Sequence, residues 1–135
     1  MKKLLIGMSL ILIVSAAALA QEKKLSSAPK SFRTFFSTFK RAVERSDKTA
    51  VASMTRFPFS YGYDAGDEGE YSKSAFIKNF RKIFSKGDDF FANRNPRFGI
   101  DQDDGIYYIS TEDASHLGFV KSGRTYKFVS YIVEP

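Results

Sequence analysis

Residues 115–133, SHLGFVKSGRTYKFVSYIV, alternate apolar and polar side chains on both sides of Ser122-Gly123. A period of two marks a half-buried strand, and a two-residue Ser-Gly break between two such runs is a hairpin signal. With Ser122 and Gly123 as the turn, Phe119 faces Tyr126 and Leu117 faces Phe128, an apolar set on one face. The other face pairs Val120 with Thr125, Gly118 with Lys127 and His116 with Val129. Two more alternating runs precede this hairpin, Phe98–Ile100 and Gly105–Thr111. Asp103-Asp104-Gly105 and Glu112-Asp113 set them apart. The end of the chain is therefore expected to form three or four antiparallel strands.

Upstream of Arg97 the period changes. Phe32, Phe35, Phe36, Phe39 and Val43 (with Ala42) fall on one helical stripe, with Arg33, Ser37, Lys40, Arg41 and Glu44 opposite. Ser46 or Asp47 caps a second, short helix that runs to about Met54, with Ala50, Val51 and Met54 on its apolar side. Thr55–Phe59 reads as a short strand that Pro58 confines to an edge or a bulge. Gly62, Gly66 and Gly69 among acids read as a long turn. A third helix starts at Ser72, carries Phe76, Ile77, Phe80, Ile83 and Phe84, and stops at Lys86-Gly87. There is no internal repeat. Helices followed by antiparallel strands predict an α+β domain with its helices packed on one face of a curved antiparallel sheet.

Three segments are expected: a signal peptide over 1–20, a flexible leader over 21–30, and one domain over 31–135. Lys2 and Lys3 precede the apolar run Leu4–Val14, and Ala18-Leu19-Ala20 offers the small residues of a cleavage site before Gln21. That run falls short of the roughly 20 residues a membrane-spanning helix needs. The product is read as exported, periplasmic or secreted, with no transmembrane segment after cleavage. The chain has no cysteine, so lipid attachment at the cleavage site, disulfides and thiolate metal sites all drop out. All 14 Phe and 7 Tyr lie beyond residue 20, which supplies the core that disulfides do not.

The formal charge of +6 becomes +4 once Lys2 and Lys3 are removed, and it is unevenly laid out. Residues 21–60 and 72–97 are basic, whereas 61–71 and 98–115 carry acids and no Lys or Arg. The bases lie mostly in helical stretches and the acids in loops, as solvated faces and turns. Lys78, Arg81 and Lys82, with Arg94 and Arg97 beyond, make a basic face, but export argues against nucleic acid as its partner.

The element order resembles the nuclear-transport-factor-2-like (cystatin-like, SnoaL-like) superfamily, in the form of a small exported bacterial member. The Phe-rich first helix, Asp47–Met54, Phe57-Pro58-Phe59 and the ending Gly118–Phe128 carry that resemblance over most of the mature chain. It implies a cone with a pocket between helices and sheet. It implies no single function, because enzymes, ligand binders and assembly modules share the plan.

Enzymes of that superfamily use a pocket His, Asp or Tyr as acid and base, and His116 is the one histidine here. The hairpin register turns it away from Leu117, Phe119, Tyr126 and Phe128, and a register off by one would turn it in. With no carboxylate partner assigned, it reads as structural or exposed and is a catalytic candidate only under the second register. Asp101, Asp103, Asp104 and Glu112 have some of the spacing of a calcium loop. Ile106 stands where the glycine is required and Gly105 where a ligand is, so no metal is expected. No other motif calls for a cofactor. The expected function is an exported module, non-catalytic, that binds a small ligand or an envelope protein. The alternative is a pocket enzyme of dehydratase, isomerase or hydrolase type. Along the final strand Val129, Tyr131 and Val133 alternate with Tyr126, Phe128 and Ile132. Both faces are then apolar, and the first three residues are expected to form a homodimer face.

Overall fold

The structure is a computed structural model that describes residues 23–63, 66–84, 91, 96–111 and 115–134. The signal peptide, Gln21, Lys86-Gly87, Phe90, Arg94 and Glu112-Asp113 lie outside the described residues. The elements in chain order are β1 (Lys23–Lys24), a 3-10 turn (Leu25–Ser27), α1 (Lys30–Glu44), α2 (Lys48–Ser53), β2 (Thr55–Tyr63) and β3 (Asp67–Tyr71). Then follow α3 (Lys73–Lys78), α4 (Phe80–Ile83), β4 (Arg97–Asp101), β5 (Ile106–Ser110), β6 (Ser115–Ser122) and β7 (Thr125–Val133). Among the described residues, four α-helices pack with one open seven-stranded sheet of order β1-β4-β5-β6-β7-β2-β3. No helix among them is long and apolar enough to cross a membrane.

The chain is α+β as expected, but its sheet is mixed rather than wholly antiparallel. β2 lies parallel to β7, between β7 and β3, so Pro58 occupies an interior strand. It is accommodated where the register jumps between Thr55 and Ser60, next to a cis Phe57–Pro58 peptide. A bulge leaves residues out of the ladder, and that removes the objection to proline. The acidic stretch read as a long turn is largely β3, an edge strand paired to β2 from Phe59↔Tyr71 to Tyr63↔Asp67. Exposed Asp67, Glu68 and Glu70 suit that edge, where charge discourages pairing with a second chain. The leader is also partly built in, because Lys23 and Lys24 pair with Phe98 and Arg97, and Ala28 is buried.

The third helix is interrupted at Asn79, which closes α3 and opens α4. Its side-chain amide donates to the Ala75 carbonyl at 2.8 Å, a local bond of the kind that competes with a regular helix. Asp47 caps α2 by accepting from the Ala50 N–H at 3.1 Å, and Ser72 caps α3.

The core is a mass of rings. Phe32, Phe39, Phe59, Phe76, Phe119 and Phe128 are all below 2% exposed. Phe32 of α1 packs 5.1 Å from Tyr126 and 5.5 Å from Phe119, edge to face. Phe39 meets Phe128 at 4.9 Å, and Phe128 meets Phe59 at 4.7 Å. Edge-to-face and tilted contacts of this kind add to the stabilisation from burial.

The decisive hairpin is displaced from its expected register. Gly123, at φ +59°, and Arg124 make the turn, so Ser122 pairs with Thr125 and Phe119 with Phe128. A shift by two residues keeps every side chain on its expected face. The register then slips by one between Gly118 and Phe119, and beyond it Leu117 pairs with Tyr131 and His116 with Ile132. That slip turns the end of β7 over. Tyr131 is 7% exposed and belongs to the core, Val133 packs against the same core, and Val129 is buried at the bulge. The three residues therefore form no outward row of the kind that alternation placed there as a homodimer face. On the other face of the sheet Ile106, Val120 and Ile132 are half-buried.

Candidate functional site

The space between helices and sheet, where a pocket was expected, is filled by the phenyl rings just described. The outer face of the sheet holds a groove of about 630 Å³ instead, lined among others by Asp101, Tyr108, Ser110, His116, Ile132 and Glu134. Neighbouring strands bring these residues together. Ser110 of β5 stands directly opposite His116 of β6, and His116 opposite Ile132 of β7.

His116 lies on the face opposite Leu117 and Phe119, since β6 alternates without a break over these positions. Its Nδ1 is 2.6 Å from the Ser110 Oγ, and its Nε2 is 3.5 Å from Glu134 Oε2. The second distance is an ion-pair approach but too long for a hydrogen bond here, so Nε2 is buried without a hydrogen-bond partner. Ser110 is 6% exposed. Tyr108 stands beside them, its phenol held above the usual value by burial and then by Asp101 and Asp104. It remains a neutral donor at physiological pH.

Asp101 closes the groove at the β4–β5 turn. Its Oδ1 accepts the backbone N–H of Asp103 at 3.0 Å and of Asp104 at 3.3 Å, with Gly105 at φ +67° completing the turn. Local capping therefore accounts for Asp101, the first of the acids with calcium-like spacing, and Glu112 lies outside the described residues. Among the described residues no three metal-ligating side chains converge.

Sequence reasoning singled out His116 but missed Ser110, Tyr108 and Glu134 as its neighbours. A signal was available, because Ser110 and His116 are equally distant from Asp113 in the expected turn. A hairpin centred there makes them partners. Glu134 could not be placed that way, because its position depends on the slip in β7.

No family model matches the chain, and no curated protein sequence matches it. Aln2 from a Streptomyces species, a structure at 1.8 Å, is similar over 76% of this chain and 86% of that chain, with a TM-score of 0.46 and 13% identity. At that level nothing about ligand or activity passes from one protein to the other.

Proposed function

We propose that the chain is an exported, non-catalytic binding module on the nuclear-transport-factor-2-like plan, with its ligand site on the outer sheet face. The observation that carries this reading is the contrast between an interior filled by rings and a groove in which the buried His116 Nε2 lacks a hydrogen-bond partner. Leaving such a group unsatisfied costs about 1–3 kcal/mol, which a ligand group seated beside it recovers. Asp101 and Glu134 at the rim, with half-buried Ile132 on the wall, favour a small amine with a short apolar frame. The amine is either a free ligand or a basic side chain of an envelope protein.

Titration of the mature protein with putrescine, followed by amide NMR shifts, tests this. Saturable shifts at Tyr108, Ser110, His116 and Ile132, lost in Asp101→Asn/Glu134→Gln, are expected. Shifts confined to other surfaces would remove the groove as the site. The export reading predicts a mature product that begins at Gln21 by intact mass. A membrane-retained chain that keeps Met1–Ala20 would overturn it.

A second reading rests on the line Ser110–His116–Glu134, which has the order of a hydroxyl nucleophile, a base and an orienting carboxylate. It comes second because Ser110 is 6% exposed and sits in a regular strand paired on both sides. Backbone N–H groups of such a strand lie in the plane of the sheet, so they offer no oxyanion donor above its face. Release of p-nitrophenolate from p-nitrophenyl acetate that is abolished by Ser110→Ala would put this reading first.

A further inference from the structure

We propose a second and separate site, a basin on the helix side of the sheet at the β6–β7 turn, that takes a hydroxylated anion: a sugar or polyol bearing a phosphate or carboxylate. The basin, about 730 Å³, lies between the first turns of α1, the end of α2 and the β6–β7 turn. Lys30, Arg124 and Lys127 line it, and no Asp or Glu does. Among the described residues neither Lys30 nor Arg124 has a carboxylate within ion-pair distance. The Lys127 ammonium donates to the Ser53 carbonyl at 2.6 Å, which anchors the charge at the rim and leaves two of its protons free. Three cations around one concavity repel each other and raise the local concentration of anions.

The remaining lining decides the class of anion. Ser31, Thr34 and Thr125 present hydroxyls beside the cations, and Ser31 Oγ is 2.9 Å from the Tyr126 hydroxyl. Phe35, Met54 and Tyr126 form an apolar floor. A bare inorganic ion fills only a fraction of this volume and gains nothing from the floor, whereas a pyranose or glycerol frame uses both hydroxyls and floor. The 15-residue helix that supplies Lys30, Ser31 and Thr34 has Pro29 at its N-cap, with no capping side chain and no acid in its first turn. An anion near that end therefore also gains from the helix dipole. The charge is opposite in sign to that of the outer groove, and the two sites share no lining residue.

Titration of the mature protein with glucose 6-phosphate, alongside glucose and inorganic phosphate, tests the proposal by amide NMR. Saturable shifts at Lys30, Ser31, Thr34, Arg124 and Thr125 are expected. Glucose 6-phosphate should bind roughly tenfold or more tightly than either half-ligand, and Lys30→Gln/Arg124→Gln should weaken it by a similar factor. Both residues are exposed, so circular dichroism of the double variant should be unchanged. Binding as tight with phosphate alone, shifts only in the outer groove, or full retention by the double variant would each overturn the proposal. Co-sedimentation with phosphatidylglycerol vesicles, competed by glucose 6-phosphate, identifies a lipid headgroup as the source. Absence of vesicle binding identifies a free ligand.

Discussion

Phe128→Ala is expected to lower the stability of the domain by about 3–5 kcal/mol, the range found for emptying a buried phenyl site. The ring is fully buried and lies 4.7 Å from Phe59, 4.9 Å from Phe39 and 5.3 Å from Phe119, so it joins β2, α1 and β6 at one point. The backbone adds to that junction, because the Phe128 N–H donates to the Met54 carbonyl at 2.8 Å, tying β7 to the end of α2. Rings on three elements cannot all close on the vacated volume at once, which places the cost near the upper end of the range. A domain of this size is stabilised by only about 5–15 kcal/mol, so the loss should be plain in urea unfolding as a lower midpoint with an unchanged slope. A loss below about 1 kcal/mol would mean that the ring is not at the centre of the core.

Tyr131→Glu is expected to cost more than about 4 kcal/mol or to prevent folding, because a carboxylate there loses its hydration among buried aromatic rings. Tyr131 is 7% exposed, and its ring stands 6.1 Å from that of Tyr63. The surroundings are already costly for charge. Burial holds the Tyr63 phenol well above its ordinary value, with Tyr71 and Tyr131 contributing next. The informative control is the adjacent residue. Ile132→Glu lies on the outer face and should be much less damaging, which urea unfolding of the two variants would show. Unbroken alternation along β7 predicts the reverse order of severity, so a milder Tyr131→Glu would mean that the register slip is absent.

The Phe-rich stripe of α1, a cap at Ser46 or Asp47 and the alternation of β4 to β6 were all legible in the sequence. Each depends on neighbours within a few residues, through the helical and strand periods and local hydrogen bonds. The face of His116 was legible for the same reason, since parity within an unbroken strand decides it. The candidate site was legible only in that one residue. Its partners arrive across strand pairings that local sequence constrains weakly.

The sequence by itself determined the class of the fold, the residues that fill its core and the side of the sheet on which His116 stands. The tertiary structure decided what periodicity could not express. It inserted β2 parallel to β7, made an edge strand from the acidic stretch Asp67–Tyr71, and slipped β7 by one residue at Gly118/Phe119. The reason is the period of two itself. A one-residue slip costs a strand little in local energy but exchanges its two faces, so only the packing of Tyr131 against the other tyrosines determines which face is buried. The same slip brought Ile132 opposite His116 and Glu134 to its ring, and so made the outer groove.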